Sequence, residues 1–255
     1  MMTNLLNYPL LIFAITFIVL WFAAWSGAFL RAKFGFELPE DLREDFNVIL
    51  GATLTLLGLI IGFSFSMATT RYDLRKSYEE AEANAIGTEY VRADLLSQAD
   101  ATQLHAMLRQ YTDLRIRFYQ TRNRDELQQI NQDTTQLQNR LWAAVVEPAK
   151  AEPTPIKALV VSGMNDVLNS QGYTQAAWWN RIPAAAWGMM AAIAIVCNVL
   201  LGTGSRRAKV TLFVVLPLVV AVAFMLIADI DSPRGGVIRV RPQNLQSLST
   251  SLGVQ

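Results

Sequence analysis

Residues 46–70 read FNVILGATLTLLGLIIGFSFSMATT, 25 positions without an Asp, Glu, Lys or Arg. A helix rises about 1.5 Å per residue, so this stretch covers roughly 37 Å against a hydrocarbon core of about 30 Å. Three further uncharged stretches lie outward from it: residues 9–30, 182–205 and 210–228, of 22, 24 and 19 residues. Core helices of soluble proteins are usually shorter and carry charges. The chain is therefore expected to be an all-α integral membrane protein. It has four transmembrane helices, with a helical soluble domain inserted between the second and third.

The spans come in two pairs. Residues 31–45 join the first pair, and a tight link at 206–209 makes a hairpin of the second. The segment 71–181 between the pairs carries 13 Lys/Arg and 14 Asp/Glu and cannot enter the bilayer. The expected division is 1–70 for spans 1 and 2, 71–181 for the soluble domain, 182–228 for spans 3 and 4, and 229–255 for a tail. Span 1 has no preceding Lys/Arg, no small-residue cleavage site and more length than a signal h-region, so it reads as a retained anchor. Trp21, Trp25, Trp178, Trp179 and Trp187 fit an interfacial belt. Pro183 suits a first helical turn, and Pro217 is expected to kink span 4.

The soluble segment reads as amphipathic helices. Tyr72 onward continues directly from span 2, with no Gly or Pro until Gly87. Leu104, Leu108, Tyr111, Leu114 and Phe118 recur at three or four. So do Leu127, Ile130, Thr134, Leu137, Leu141 and Val145, and then Ile156, Leu159, Val160, Met164 and Val167. Pro148, Pro153 and Pro155 separate the last two stripes. Gly236–Val240 is the only stretch that suggests a strand.

Composition excludes several classes of function. The 255 residues are 52% hydrophobic and 17% charged with net charge +1, which argues against disorder and against nucleic acid as a partner. One cysteine, Cys197, and one histidine, His105, build neither a disulfide framework within a monomer nor a zinc site. His105 reads as a surface or packing residue, Cys197 as packing inside span 3, and Asn198 as a possible hydrogen-bond partner across helices. No P-loop, dinucleotide fingerprint, HExxH or GxSxG is present, so neither an enzyme nor a cofactor is expected. No charge lies within a span, which weighs against proton pumps and ion-coupled transporters.

Span 2 carries the most information. On a helical wheel Gly51, Thr55, Gly58, Gly62, Ser66 and Thr69 fall in one arc of about 80°, and Leu56, Leu59, Ile60, Phe63 and Met67 fall on another. Gly51, Gly58 and Gly62 are the expected close-packing residues, with Gly58 and Gly62 forming a GxxxG. Two readings fit the bulky arc. It faces lipid or protein as ordinary packing, or it forms an apolar constriction in an oligomeric pore that gates by dewetting.

Four stretches resemble the bacterial bestrophin-like family: GFSFSMATTRYDLR at 62–75, EEAEANAIGTEYVRADLL at 79–96, RQYTDLR at 109–115 and DIDSPRGGVIRV at 229–240. The family is distantly similar to bestrophins, which are pentameric ion channels with cytosolic termini. The resemblance implies a homopentamer in the bacterial inner membrane, inorganic ions as the permeating species, and a pore lined by span 2. Phe63 matches the neck Phe, and Leu59 lines the same path one turn earlier. The chain lacks the long acidic run that follows span 4 in animal bestrophins and has only Asp229 and Asp231 there. Asp229, Asp231 and Arg234 read first as a turn at the membrane exit, with no metal expected; a divalent cation on the two aspartates is the sharper alternative, though calcium wants six to eight oxygens.

Sidedness is divided. Arg31, Lys33, Arg43, Arg206, Arg207 and Lys209 flank the spans on one side, against seven basic residues on the other. The weighting of short loops places the soluble part outside, whereas the resemblance places it and both termini in the cytoplasm. The expectation follows the resemblance. Two other functions fit the same layout: a non-conducting membrane sensor or assembly protein, and a proton-channel stator subunit.

Overall fold

The computed structural model describes residues 7–34, 39–204 and 210–253. The helices are α1 (Pro9–Phe34), α2 (Glu40–Arg92), α3 (Gln98–Gln120), α4 (Arg124–Ala151), α5 (Pro155–Trp179), α6 (Ala184–Gly204), α7 (Val210–Asp231) and α8 (Gln243–Ser251), with a 3-10 turn at Ala93–Leu95 after α2. Among the described residues, four helical runs are long and apolar enough to cross a membrane: Pro9–Phe34, Leu42–Leu95, Pro155–Gly204 and Phe213–Asp231. The 206–209 link, with Arg206, Arg207 and Lys209, lies outside the described residues.

The chain divides into two compact units. One comprises Met1–Arg71 and Arg181–Arg239, the other Tyr72–Asn180 and Val240–Gln255. In the first unit α1 packs against α6 and α7. The α1–α6 crossing is set by a pair of glycines. A Cβ on Gly27 would run into the backbone of Val199 and Thr203, and one on Gly202 into the backbone of Ala24 and Ala28. In lipid, where apolar burial does not drive helices together, such backbone-to-backbone approach supplies the van der Waals contact. Trp187 is buried with its ring 5.9 Å from Phe224.

In the second unit α3, α4 and α5 pack in sequence around the end of α2, and α8 lies on α3. The starts of α3, α4 and α5 are each built from local chemistry. Ser97 accepts from the Asp100 amide at 3.3 Å, Asn123 from the Asp125 amide at 2.8 Å, and Thr154 from the Lys157 amide at 3.2 Å with Pro155 in the first turn. The α3 stripe and most of the α4 stripe are buried as their spacing predicts.

Several expectations need correction. The α4 helix runs through Pro148 to Ala151, because a proline in the final turn still offers its carbonyl, which accepts from the Glu152 amide at 3.1 Å. The continuation of α2 beyond span 2 is as expected and runs through Gly87, whose bare Cα accommodates Leu248 of α8, since Leu248 Cδ1 would stand 3.1 Å from a Cβ there. Ile156 and Leu159 are exposed, so only the later part of the α5 stripe faces the core. Trp178 and Trp187 are core residues and not belt residues, whereas Trp21, Trp25 and Trp179 are exposed. Trp178 packs 5.0 Å from Phe118 and 5.4 Å from Tyr119. Asn198 bonds within its own helix, donating to Ala194 O at 2.8 Å. Gly236–Val240 forms bends and no strand.

Gly202→Leu is expected to force α1 and α6 apart. Overpacking of this kind costs about 1–3 kcal/mol or more, read as a lowered thermal midpoint of the purified protein in detergent. Gly188→Ala, at a position with open space around it, does not lower the midpoint, and alanine's stronger helix preference raises it slightly.

Candidate functional site

Through the apolar stretch of α2 a single line of residues is buried within the chain: Leu57, Ser64 and Ala68. Counted at about 100° per residue from Leu57, Gly51, Gly58 and Gly62 lie about 100–140° away. Leu56, Leu59, Ile60, Phe63 and Met67 occupy roughly 200–300°. Both arcs therefore turn away from the packing of their own chain. A Cβ on any of the three glycines would meet nothing within 4 Å. Leu56 is 45% exposed, Leu59 53%, Phe63 61% and Met67 39%, with Ile60 half-buried at the edge.

The threonine hydroxyls on this helix turn back onto it. Thr55 donates to Gly51 O at 2.9 Å, Thr69 to Phe65 O at 3.1 Å and Thr70 to Ser66 O at 2.9 Å. Bonding back to the preceding turn satisfies each donor and presents the methyl group instead. The outward surface of α2 from Leu56 to Phe65 is thus apolar, with no charged side chain to replace the hydration shell of an ion, and Ser66 adds an exposed hydroxyl one turn beyond Phe63.

The two tail aspartates have other work. Asp229 accepts from the Val237 amide at 2.8 Å and the Ile238 amide at 2.7 Å, closing the turn after α7. Both oxygens of Asp231 accept from the Ile182 amide at 3.2 Å. Among the described residues no group of three or more His, Cys, Asp or Glu is placed to hold a metal.

Residues 15–245 match the Bestrophin-like domain. The chain belongs to the bestrophin-like family. Three crystal structures of a bacterial bestrophin homolog from Klebsiella pneumoniae are similar to it. One mutant matches at TM-score 0.64 and 11% identity over 96% of this chain and 97% of its own. A second mutant matches at TM-score 0.66 and 10% identity over 93% and 96%. The structure phased on zinc matches at TM-score 0.63 and 11% identity over 95% of each. At these identities the likeness is one of fold. No curated protein matches the sequence. The chain is a multi-pass membrane protein with an all-helical bestrophin-like fold.

This bestrophin-like chain also holds buried charges that periodicity did not reveal. Glu82 of α2 and Arg115 of α3 are fully buried and paired, Arg115 Nε donating to Glu82 Oε1. Thr174 donates to Glu82 Oε2 at 3.2 Å and Tyr119 to the same oxygen at 3.4 Å. The Arg115 guanidinium lies 4.3 Å from the Phe118 ring centroid. Burial opposes the Arg115 charge, but Glu82 beside it holds the group above its ordinary pKa. Burial raises the Tyr119 phenol, with Glu82 adding to the shift. Glu79 accepts from the Leu245 amide at 2.9 Å and the Asn244 side chain at 2.6 Å, fastening the start of α8 to α2. Burial raises the Glu79 carboxyl, partly offset by those two donors. A sequence signal for these groups does exist: Glu79, Glu82 and Glu89 continue the buried line of α2 at spacings of three and seven. Charge on an inward helical line is easily read as a solvated face.

Arg115→Leu is expected to leave the Glu82 carboxylate buried without its counter-charge. Breaking one side of such a pair costs about 3–5 kcal/mol. Thermal unfolding should show the loss, and the double variant with Glu82→Leu should recover much of it.

Proposed function

We propose that this chain is the subunit of a homo-oligomeric ion channel, a pentamer, in the bacterial inner membrane. The apolar face of α2 lines its pore, and the soluble domain and both termini lie in the cytoplasm. The observation that carries the reading is the exposure of two adjoining faces of α2, one small and one bulky, in a chain of the bestrophin-like family. A rotationally symmetric assembly uses both at once, the small face against the neighbour and the bulky face toward the axis. Leu56, Leu59, Ile60, Phe63 and Met67 then line the conduction path, with Phe63 at the narrowest ring. A narrow apolar ring sheds water and blocks ions without a charged gate.

The exposure of Phe63 makes the test clean. Because the ring is largely unpacked within its own chain, Phe63→Ala should raise single-channel conductance in planar bilayers and leave the thermal midpoint nearly unchanged. Unchanged conductance would sink the assignment of Phe63 to a neck. Absence of ion flux from proteoliposomes holding the intact oligomer would favour a non-conducting sensor or assembly protein.

Assembly has its own measurement. Native mass spectrometry should find a pentamer for the wild type. Gly58→Leu or Gly62→Leu should shift it toward smaller species by filling the small face. A stable wild-type monomer would contradict the proposal.

A further inference from the structure

Glu89, near the end of α2, is 0% exposed, and among the described residues neither of its carboxylate oxygens has a hydrogen-bond partner. Facing it is Gly163 of α5. A Cβ on Gly163 would overlap Glu89 Oε2 and crowd Arg92 Nη1. The missing side chain is what lets the two helices close over the carboxyl group. On either side of Gly163, α5 buries Val160, Met164 and Val167 in the apolar core of this unit.

An ionised carboxylate enclosed in this way has lost its hydration and gained no donor, whereas the neutral acid carries no net charge to solvate. We propose that Glu89 is a proton-binding site that governs the docking of α5 on α2, closed at Gly163 while the proton is held and loosened when the proton leaves to solvent. Loosening lets water reach the carboxylate, or lets Arg92 turn onto it.

Two charged groups bear on the site: Arg92, one turn onward in α2, and Asp166, one turn onward from Gly163 in α5. The adjoining 3-10 turn contributes Asp94, whose exposed carboxylate lies 3.4 Å from His105 Nε2 of α3. Burial is the dominant influence on Glu89. Arg92 opposes it and Asp166 adds to it, and the carboxyl is pushed up from 4.5 to about 8. The sign follows from linkage. The docked form holds a proton that the opened form releases between pH 4.5 and about 8. Docking is thus at full strength below that window. It weakens as pH rises through the window, with the opening equilibrium constant growing at most about tenfold per pH unit, and is level above it.

The test is hydrogen exchange of the α5 amides around Gly163 in the full-length protein in detergent, from pH 5 to 9, with rates referred to those of unstructured peptide. Protection in the wild type should fall across the range, and Glu89→Gln should make it level. Asp166→Asn should move the end of the fall to lower pH, and Arg92→Gln should move it to higher pH. These two variants decide the matter if Glu89→Gln does not fold. Three outcomes overturn the proposal: a level wild-type profile, a Glu89→Gln profile that falls as the wild type does, or shifts of the same sign in the two neighbour variants.

Discussion

Hydrocarbon offers the backbone no hydrogen-bond partner, and the first unit of this protein is organised around that fact. Within lipid each backbone N–H and C=O must be satisfied by its own helix. The apolar part of α2 meets the condition without a break, and its hydroxyls at Thr55, Thr69 and Thr70 fold back onto the same helix. What remains on the outside is hydrocarbon surface and bare glycine, with the hydroxyl of Ser66 near its end. Such a surface has only two partners in a membrane, lipid or another helix, and the shapes of the two faces differ enough to suit different neighbours.

Beyond Thr70 the same helix meets different rules. Water is available, charge is permitted, and the inward line of α2 changes from Leu57, Ser64 and Ala68 to Arg75, Glu79, Glu82, Ile86 and Glu89. Each buried carboxylate has its own solution. Glu82 is matched by an arginine and two hydroxyls, and Glu79 by the opening amides of α8. Glu89 has neither, so its remaining route to a low-energy state is to keep a proton. One uninterrupted helix therefore carries a stretch where charge is excluded and a stretch where buried charge fixes the partners of α3, α5 and α8.

The spans, their order and the helical character of the soluble segment were legible in the sequence, because hydropathy and a period near 3.6 each leave a local trace. The stripe from Leu104 to Phe118 is buried along its length. The errors arose where a residue type has two uses. Trp178 and Trp187 suit a headgroup belt by composition, yet both are buried among aromatic neighbours. Pro148 signals a helix end, which arrives only at Glu152 because proline withholds its N–H but not its carbonyl. The Glu82–Arg115 pair lies 33 positions apart, and no local pattern links two residues at that distance.

Glycine is the sharpest instance of a residue with two uses. The GxxxG in α2 points to close helix approach, but within one chain the tight crossing is made by Gly27 and Gly202, which belong to no such repeat. Their Cα atoms meet the backbone of the facing helix, and that contact is complete without a second subunit. Gly51, Gly58 and Gly62 offer the same bare surface, and a Cβ on any of them would meet nothing within 4 Å among the described residues. Each glycine in a lipid-exposed helix weakens that helix by about 1 kcal/mol relative to alanine. Three on one face amount to a standing cost with no return inside the monomer. In the proposed assembly a neighbouring copy of the chain meets this face, because close approach of a second backbone is the one contact that a glycine face makes better than an alanine or leucine face.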